Sequence, residues 1–260
     1  MSHVLAICGR ELRSLFATPT AYVLLAFYLI FAGFVFTGSL RIFLEQVEQV
    51  QAIPQYAQYL ELFANLNLRV IAPALGTFIL LFIFVIPFLT MRAFSEERAN
   101  GTIELLLTSP VSTWQIVLGK YLAVLCWVGI FVLAAAAFSG MLFVYGNPEL
   151  GWTVAGHLGI FLLGAALAAM GCFISSLTRS PIIAGVIALI AGLLLFMLNF
   201  LAGAIENPAL AAPIRYLALE NHVDKSLSGL IRLQDLVYFG VLIVLFLTLA
   251  RTALESLRWR

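Results

Sequence analysis

Six long apolar stretches alternate with shorter polar segments along the 260-residue chain, near 21–40, 70–91, 116–145, 154–177, 181–203 and 234–250. A hydrocarbon core about 30 Å thick is crossed by about 20 helical residues, so each stretch is long enough to span it. The third stretch is longer than needed, and we expect it to tilt or to project beyond the bilayer. None shows the two-residue alternation of a membrane barrel. The pattern predicts an all-α membrane protein with six transmembrane helices.

The composition agrees with this fold class. The chain is 63% hydrophobic and 10% charged, with a mean hydropathy of +1.06, whereas a soluble domain is about half apolar and a quarter charged. The net charge of +1 gives no reason to expect nucleic-acid binding. The three cysteines are far apart and show no metal-ligand spacing, which favours buried thiols. We expect one transmembrane domain over 1–260.

The orientation follows from the distribution of basic residues. With the N-terminus in the cytoplasm, nine of the 14 lysines and arginines and only five of the 13 acids fall on the cytoplasmic side. Basic residues are enriched in cytoplasmic loops. The first stretch is longer than the apolar region of a signal peptide and lacks its cleavage site. We therefore expect an uncleaved first span and both termini in the cytoplasm.

The segment 1–19 before the first span has an apolar arc and a polar arc when it is plotted as a helix, with Arg10 and Arg13 on the polar side. This pattern predicts an amphipathic helix along the cytoplasmic membrane surface, which bends into the bilayer at Pro19. Glu11 falls on the apolar arc, where it either pairs with a neighbouring arginine or faces a partner. The alternative is a surface anchor with no further role.

Two long loops are predicted on the outer side. In 41–68 the apolar positions favour two short amphipathic helices, and 204–233 is apolar enough to fold into short helices packed on the outer face. The second loop contains Glu220, His222 and Asp224, but neither helical nor turn spacing brings all three together. We expect a solvated loop there, and a metal site is the alternative.

Motifs for catalysis are missing. The sequence has no Walker A, HExxH or GxSxG motif, and the interiors of the spans hold essentially no Asp, Glu, Lys or Arg, which proton- or sodium-coupled transporters usually keep there. The main polar residues within spans are interpreted as contacts between helices: Thr37, Ser139, His157 and Asn199. No catalytic residue and no bound cofactor are expected, and any movement has to be driven from outside the spans.

The polar segment "FSEERANGTIELLLTSPVS" lies between spans two and three, on the cytoplasmic side. Residues 100–102 offer a helix N-cap, Glu104 lies in the first turn, and Pro110 ends the helix. Ser112 and Gln115 have the spacing of a capping box for the next helix. The pattern predicts a short, stiff helix that docks on a partner; the alternative is a charged loop that only sets topology.

The stretch "EERANGTIELLLTSPVSTWQIVLGKYLA" resembles the signature of ABC type-2 permeases, the membrane subunits of ATP-binding-cassette exporters. "RELRSLFATPTAYV", "PFLTMRAFSEER", "GCFISSLTRSPIIAG" and "LIRLQDLVYF" resemble the gliding-motility permease subfamily. The similarity covers nearly the whole chain.

The resemblance implies a permease dimer in a bacterial inner membrane, paired with separate ATPase subunits that bind ATP and magnesium. It implies that 92–115 is the coupling segment, with these residues at the ATPase: Glu96, Glu97, Arg98, Gly101, Thr102, Glu104 and Pro110. Arg10 and Glu11 match the family's amphipathic helix. An extracytoplasmic auxiliary protein and membrane lipid are further partners to consider.

The function expected is that of a permease subunit without catalysis of its own. A membrane-embedded enzyme and a secondary transporter or channel are the alternatives. The substrate, the choice between export and force transmission, and the choice between identical and different permease copies stay open.

Overall fold

A computed structural model describes residues 2–52, 65–108 and 111–257. Within these ranges the regular structure is helical. The helices are α1 (Ser2–Ala17), α2 (Pro19–Ala52), α3 (Ala72–Thr90, preceded by a π-helical turn at Asn67–Ile71), α4 (Ser95–Ala99), α5 (Ile103–Thr108), α6 (Thr113–Tyr145), α7 (Leu150–Leu177), α8 (Pro181–Gly203), α9 (Pro208–Leu217), α10 (Leu219–Leu227) and α11 (Leu233–Leu257).

Six helical stretches of the described chain are long and apolar enough to cross a membrane: α2, Asn67–Ala99 (which contains α3), α6, α7, α8 and α11. The predicted all-α class and the number of spans are therefore confirmed. The fifth span coincides with its predicted bounds because Ser180 caps the helix and Pro181 begins it.

The first span is much longer than predicted. Helix α2 has 34 residues and α6 has 33, so each is about 50 Å long against a hydrocarbon core of about 30 Å. The prediction of separate short helices from residue 41 is wrong as far as Ala52, because α2 continues without a break. No Gly or Pro interrupts this part, and Arg41 pairs with Glu45 one turn later at 2.8 Å. Residues 53–64 lie outside the described ranges.

Helix α7 lies at the centre of the bundle and contacts α3, α6, α8, α10 and α11. It is the most enclosed span, with 78% of its most apolar stretch buried. Small residues allow this close approach. A Cβ atom at Gly164 would lie 2.6 Å from Val128, and one at Gly171 would overlap the side chain of Thr90.

The bundle has two ends that differ in structure. Helices α1, α4 and α5 lie at the end that we call the α1 end, together with the first turns of α6 and the last turns of α7 and α11. Helices α9 and α10 pack over the opposite end, where the Trp152 indole N–H donates to the Leu227 carbonyl at 2.6 Å. Six spans place the starts of α2 and α8 at one end and the start of α11 at the other.

Candidate functional site

The charged segment is attached to α7 directly after α3 ends. The backbone N–H groups of Phe94 and Ser95 both donate to the Ser175 hydroxyl oxygen, at 3.0 and 3.1 Å. The Ser175 hydroxyl in turn donates to the Met91 carbonyl at 3.0 Å. Phe94, Ser95 and Ser175 are fully buried. One serine of the central span therefore fixes the turn from which the segment starts.

Four charged side chains from three helices meet beside this turn. The Lys120 ammonium of α6 lies 3.1 Å from a carboxylate oxygen of Glu11 on α1 and 3.0 Å from one of Glu97 on α4. Arg10 of α1 lies 2.8 Å from Glu11 and 3.3 Å from Glu97. We call Arg10, Glu11, Glu97 and Lys120 the four-charge network. It connects α1, α4 and α6.

Burial explains why the four charges gather. The Lys120 side chain is only 3% exposed, and a buried ammonium is costly unless carboxylates neutralise it. Two cations and two carboxylates give the network no net charge. The hydrogen bond to Glu11 raises the pKa of Arg10. Lys120 also lies 5.4 Å from the centre of the Phe94 ring, close enough for a cation–π contact.

The structure explains why the acidic residue Glu11 lies on the apolar arc of α1. The expected pairing with a neighbouring arginine is present, through Arg10, and the apolar arc on which Glu11 lies packs against the first turns of α6. Ile7 lies so close to α6 that a Cβ atom at Gly119 would come within 2.7 Å of it. Helix α1 is thus fixed to a transmembrane helix. Arg13 is exposed on its outer side.

Two residues of the four-charge network differ in how clearly the sequence predicted their role. Glu97 belonged to the predicted coupling residues, whereas Lys120 was counted only for topology. The signal that could have identified Lys120 is a single cation inside an otherwise apolar helix, because such a residue faces protein and finds an acid there. Ser175 gave no comparable signal, since serine is common where membrane helices pack.

The other predicted coupling residues lie along the rest of the segment. The Arg98 guanidinium donates to the Ser176 carbonyl of α7. Gly101 is exposed with φ +70°, a conformation that glycine adopts without strain. The Thr102 carbonyl accepts a hydrogen bond from the Leu106 N–H at 3.3 Å, as that of an N-cap residue does, and the Thr102 hydroxyl donates to the Glu97 carbonyl at 3.4 Å. Glu96 is exposed beside a cavity of about 110 Å³ that Glu11 and Lys120 also line.

The segment contains two short helices, where the sequence pattern predicted one. Helix α4 precedes the turn at Gly101, and α5 follows it with Glu104 exposed in its first turn. Glu104, Arg98 and Arg179 line a cavity of about 440 Å³ at the tip of the α1 end. The site therefore consists of two groups, the buried four-charge network and this exposed tip, with Gly101 and Thr102 between them.

The beginning of α6 confirms the predicted capping box. The Gln115 N–H donates to the Ser112 hydroxyl at 3.3 Å, and the Ser112 N–H donates to the Gln115 side-chain oxygen at 3.0 Å. Both bonds satisfy backbone donors of the first turn and fix where α6 starts. Pro110, predicted to end the preceding helix, lies outside the described residues.

Comparisons with known proteins give the family of this chain. Residues 44–221 match the family described as "ABC-2 family transporter protein". The chain belongs to the ABC-2 transporter family. It is 32% identical over 116 residues to the inner membrane transport permease YhhJ of Escherichia coli strain K12, and equally to the protein of that name in Shigella flexneri. The similarity covers 43% of this chain and only 29% of these relatives' length.

Membership of the ABC-2 family agrees with the six apolar helices, which fit a multi-pass membrane protein. The matched range includes α4, α5, Lys120 and Ser175, whereas Arg10 and Glu11 precede it. The family match thus covers the segment and its attachment to α6 and α7. The contribution of α1 to the four-charge network is a feature that the geometry adds.

Proposed function

We propose that this chain is the membrane subunit of an ATP-driven transporter, and that residues 95–108 receive movement from a separate ATPase in the cytoplasm. The observation that carries the proposal is the four-charge network. Buried Lys120 contacts Glu11 and Glu97 together, at 3.1 and 3.0 Å. The charged segment is thereby attached firmly to α1 and α6, as a part that transmits force requires.

The contacts give the movement a route into the spans. ATP binding would close the ATPase dimer and displace the segment between two discrete positions. The hydrogen bonds of Ser175 connect the segment to α7, and Lys120 connects it to α6. Because α7 contacts most of the other spans, a shift of its α1 end would change the packing of the whole bundle.

The tip of the α1 end would form the ATPase contact. Glu104, Gly101 and Thr102 are exposed there, and Arg98 and Arg179 border the same cavity. Exposed charges of both signs favour a partner whose surface is complementary in charge and shape. The excess of basic residues at this end supports a cytoplasmic location, and hence a bacterial inner membrane with both termini inside.

Several finer features belong to the same proposal. The resemblance to gliding-motility permeases supports either export or force transmission to an extracytoplasmic partner. A second permease copy would complete the transporter, and ATP with magnesium would be bound by the ATPase. None of the tests below depends on the identity of the substrate.

Co-purification tests the proposal. A tagged chain, extracted in mild detergent, should bring down a soluble subunit with a Walker A motif, and the complex should hydrolyse ATP. Leu106→Pro removes a backbone donor inside α5 and should abolish this association while leaving membrane insertion intact. Glu104→Lys should weaken it. Glu45→Lys, an exposed acid on α2 at the opposite end, is the matched control.

Coupled ATP hydrolysis in the Leu106→Pro variant at the wild-type level would refute the docking role of α5. Recovery of the chain without any nucleotide-binding subunit would favour a secondary transporter instead.

A further inference from the structure

A cavity of about 640 Å³ lies at the end of the bundle opposite α1, between α9, α10 and the first turn of α11. Its volume is in the range of sites that hold small ligands or lipid headgroups. Three cationic side chains line it, Arg215, Lys225 and Arg232, together with the acids Glu206 and Asp235. The charged side chains that line the cavity therefore have a net positive charge.

The two acids that line the cavity do not neutralise all three of its cations. Asp235 is buried and already engaged, because His222 lies 2.7 Å from one of its oxygens and Arg232 lies 3.4 Å from the other. Within the described part of the chain, Arg215 and Lys225 have no carboxylate at ion-pair distance. Both are exposed towards the cavity. Two cations are therefore available to a ligand.

The base of the cavity is rigid. The His222 Nε2 atom lies 2.9 Å from the Tyr216 carbonyl, and the imidazole stacks on Tyr238 at 3.8 Å between ring centres and 13° between planes. The Tyr238 hydroxyl donates to the Leu217 carbonyl at 2.7 Å. Through these contacts, His222 connects α9 on one side with α11 on the other. The cations project from a preorganised frame, which lowers the entropy cost of binding.

The cavity opens where the spans meet the bilayer surface. Helix α8 ends at Gly203 and α11 begins at Leu233, so the helices between them lie at the boundary of the hydrocarbon core. Large apolar side chains beside the cavity are exposed, with Leu210 60% exposed and Leu233 75%. Acyl chains would cover these side chains while a headgroup occupied the polar cavity.

We infer that this cavity binds the phosphate headgroup of an anionic phospholipid. Guanidinium groups match phosphate oxygens with paired hydrogen bonds, and an ammonium adds a strong point charge. Glu206 and Asn221, which also line the cavity, can accept and donate hydrogen bonds to headgroup hydroxyls such as those of phosphatidylglycerol. The inference does not depend on the proposed coupling to an ATPase.

Native mass spectrometry with added phosphatidylglycerol tests the inference. The delipidated chain should bind phosphatidylglycerol and discriminate against phosphatidylcholine. Arg215→Gln and Lys225→Gln should each raise the dissociation constant about fivefold, and together about 25-fold, because each basic residue near an anionic surface contributes a similar increment. Arg41→Gln, an exposed arginine at the same end that pairs with Glu45, should leave it unchanged.

Unfolding temperatures establish that the two variants fold, since neither side chain is buried. Equal binding by the double variant and by Arg41→Gln would overturn the inference, as would equal affinity for phosphatidylcholine. A titration with inorganic phosphate separates the two sources of phosphate. If phosphate alone bound with the affinity of the lipid and lost it in the same variants, a soluble ligand would replace the lipid.

Discussion

Replacing Lys120 by methionine is the sharpest test of the four-charge network. The change keeps the length of the side chain and removes the charge that Glu11 and Glu97 share, at 3.1 and 3.0 Å. Removing one partner of a buried ion pair costs about 3–5 kcal/mol. Here the carboxylates are 20% and 21% exposed and Arg10 still contacts both. We therefore expect a smaller loss of unfolding free energy, about 2 kcal/mol.

That loss predicts a lower unfolding temperature, by about 4–8 °C on the scale of soluble domains of this size. Differential scanning fluorimetry in detergent measures it. Arg13→Met removes an exposed cation from the outer side of α1 and should change the unfolding temperature little. Adding Glu97→Gln to Lys120→Met should recover part of the loss, because it relieves the repulsion between two carboxylates left without their ammonium.

Native cysteines report separately on the docking of α1. The Cys8 thiol of α1 lies close enough to the thiol of Cys126 on α6 for Cys126 to raise its pKa, so a short bifunctional thiol-reactive reagent should cross-link them within one chain. Burial raises the pKa of Cys8, and the reaction should therefore accelerate as the pH rises. In Lys120→Met the cross-link should form more slowly, because α1 has lost the ion pair between Glu11 and α6. Wild-type unfolding temperature and cross-linking rate in this variant would refute the reasoning.

Three further predictions concern helix packing, a helix cap and a buried ion pair. Gly171→Val should lower the unfolding temperature strongly, because a Cβ atom there overlaps Thr90, whereas Gly140→Ala meets open space and should not. Ser112→Ala removes the capping box of α6 and should cost about 1 kcal/mol, measured by thermal unfolding. Asp235→Ala deprives buried His222 of its carboxylate and should reduce stability by about 3 kcal/mol; an unchanged unfolding temperature would show that the pair is dispensable.

The spans were predictable because bilayer thickness imposes a length and an apolarity that the sequence displays directly. Their ends were less predictable. The start of α8 could be placed because Ser180 and Pro181 mark where that helix begins. Helix α2, in contrast, runs on to Ala52 through a polar stretch without any helix-breaking residue. Hydropathy records where a helix leaves the lipid, and not where the helix itself ends.

The site was predictable only in part, for a related reason. The acids and the capping residues of the charged segment follow one another along the chain, so their local pattern identified a capped helix. The four-charge network joins positions 87 and 109 residues apart in sequence, and no periodicity records such a contact. Burial of Lys120 among three helices became visible only when the helices were packed.

The position of the network bears on how the bundle could move. A segment held by a flexible loop alone would absorb a push by bending. Here, buried hydrogen bonds to Ser175 and the ion pairs of Lys120 join the segment to two spans, and leaving either set unsatisfied costs about 1–3 kcal/mol per buried group. A displacement of the segment therefore costs less free energy when α1, α4 and the ends of α6 and α7 move together. This end of the bundle should respond as one rigid unit, and Lys120→Met should weaken the attachment of α1 to it.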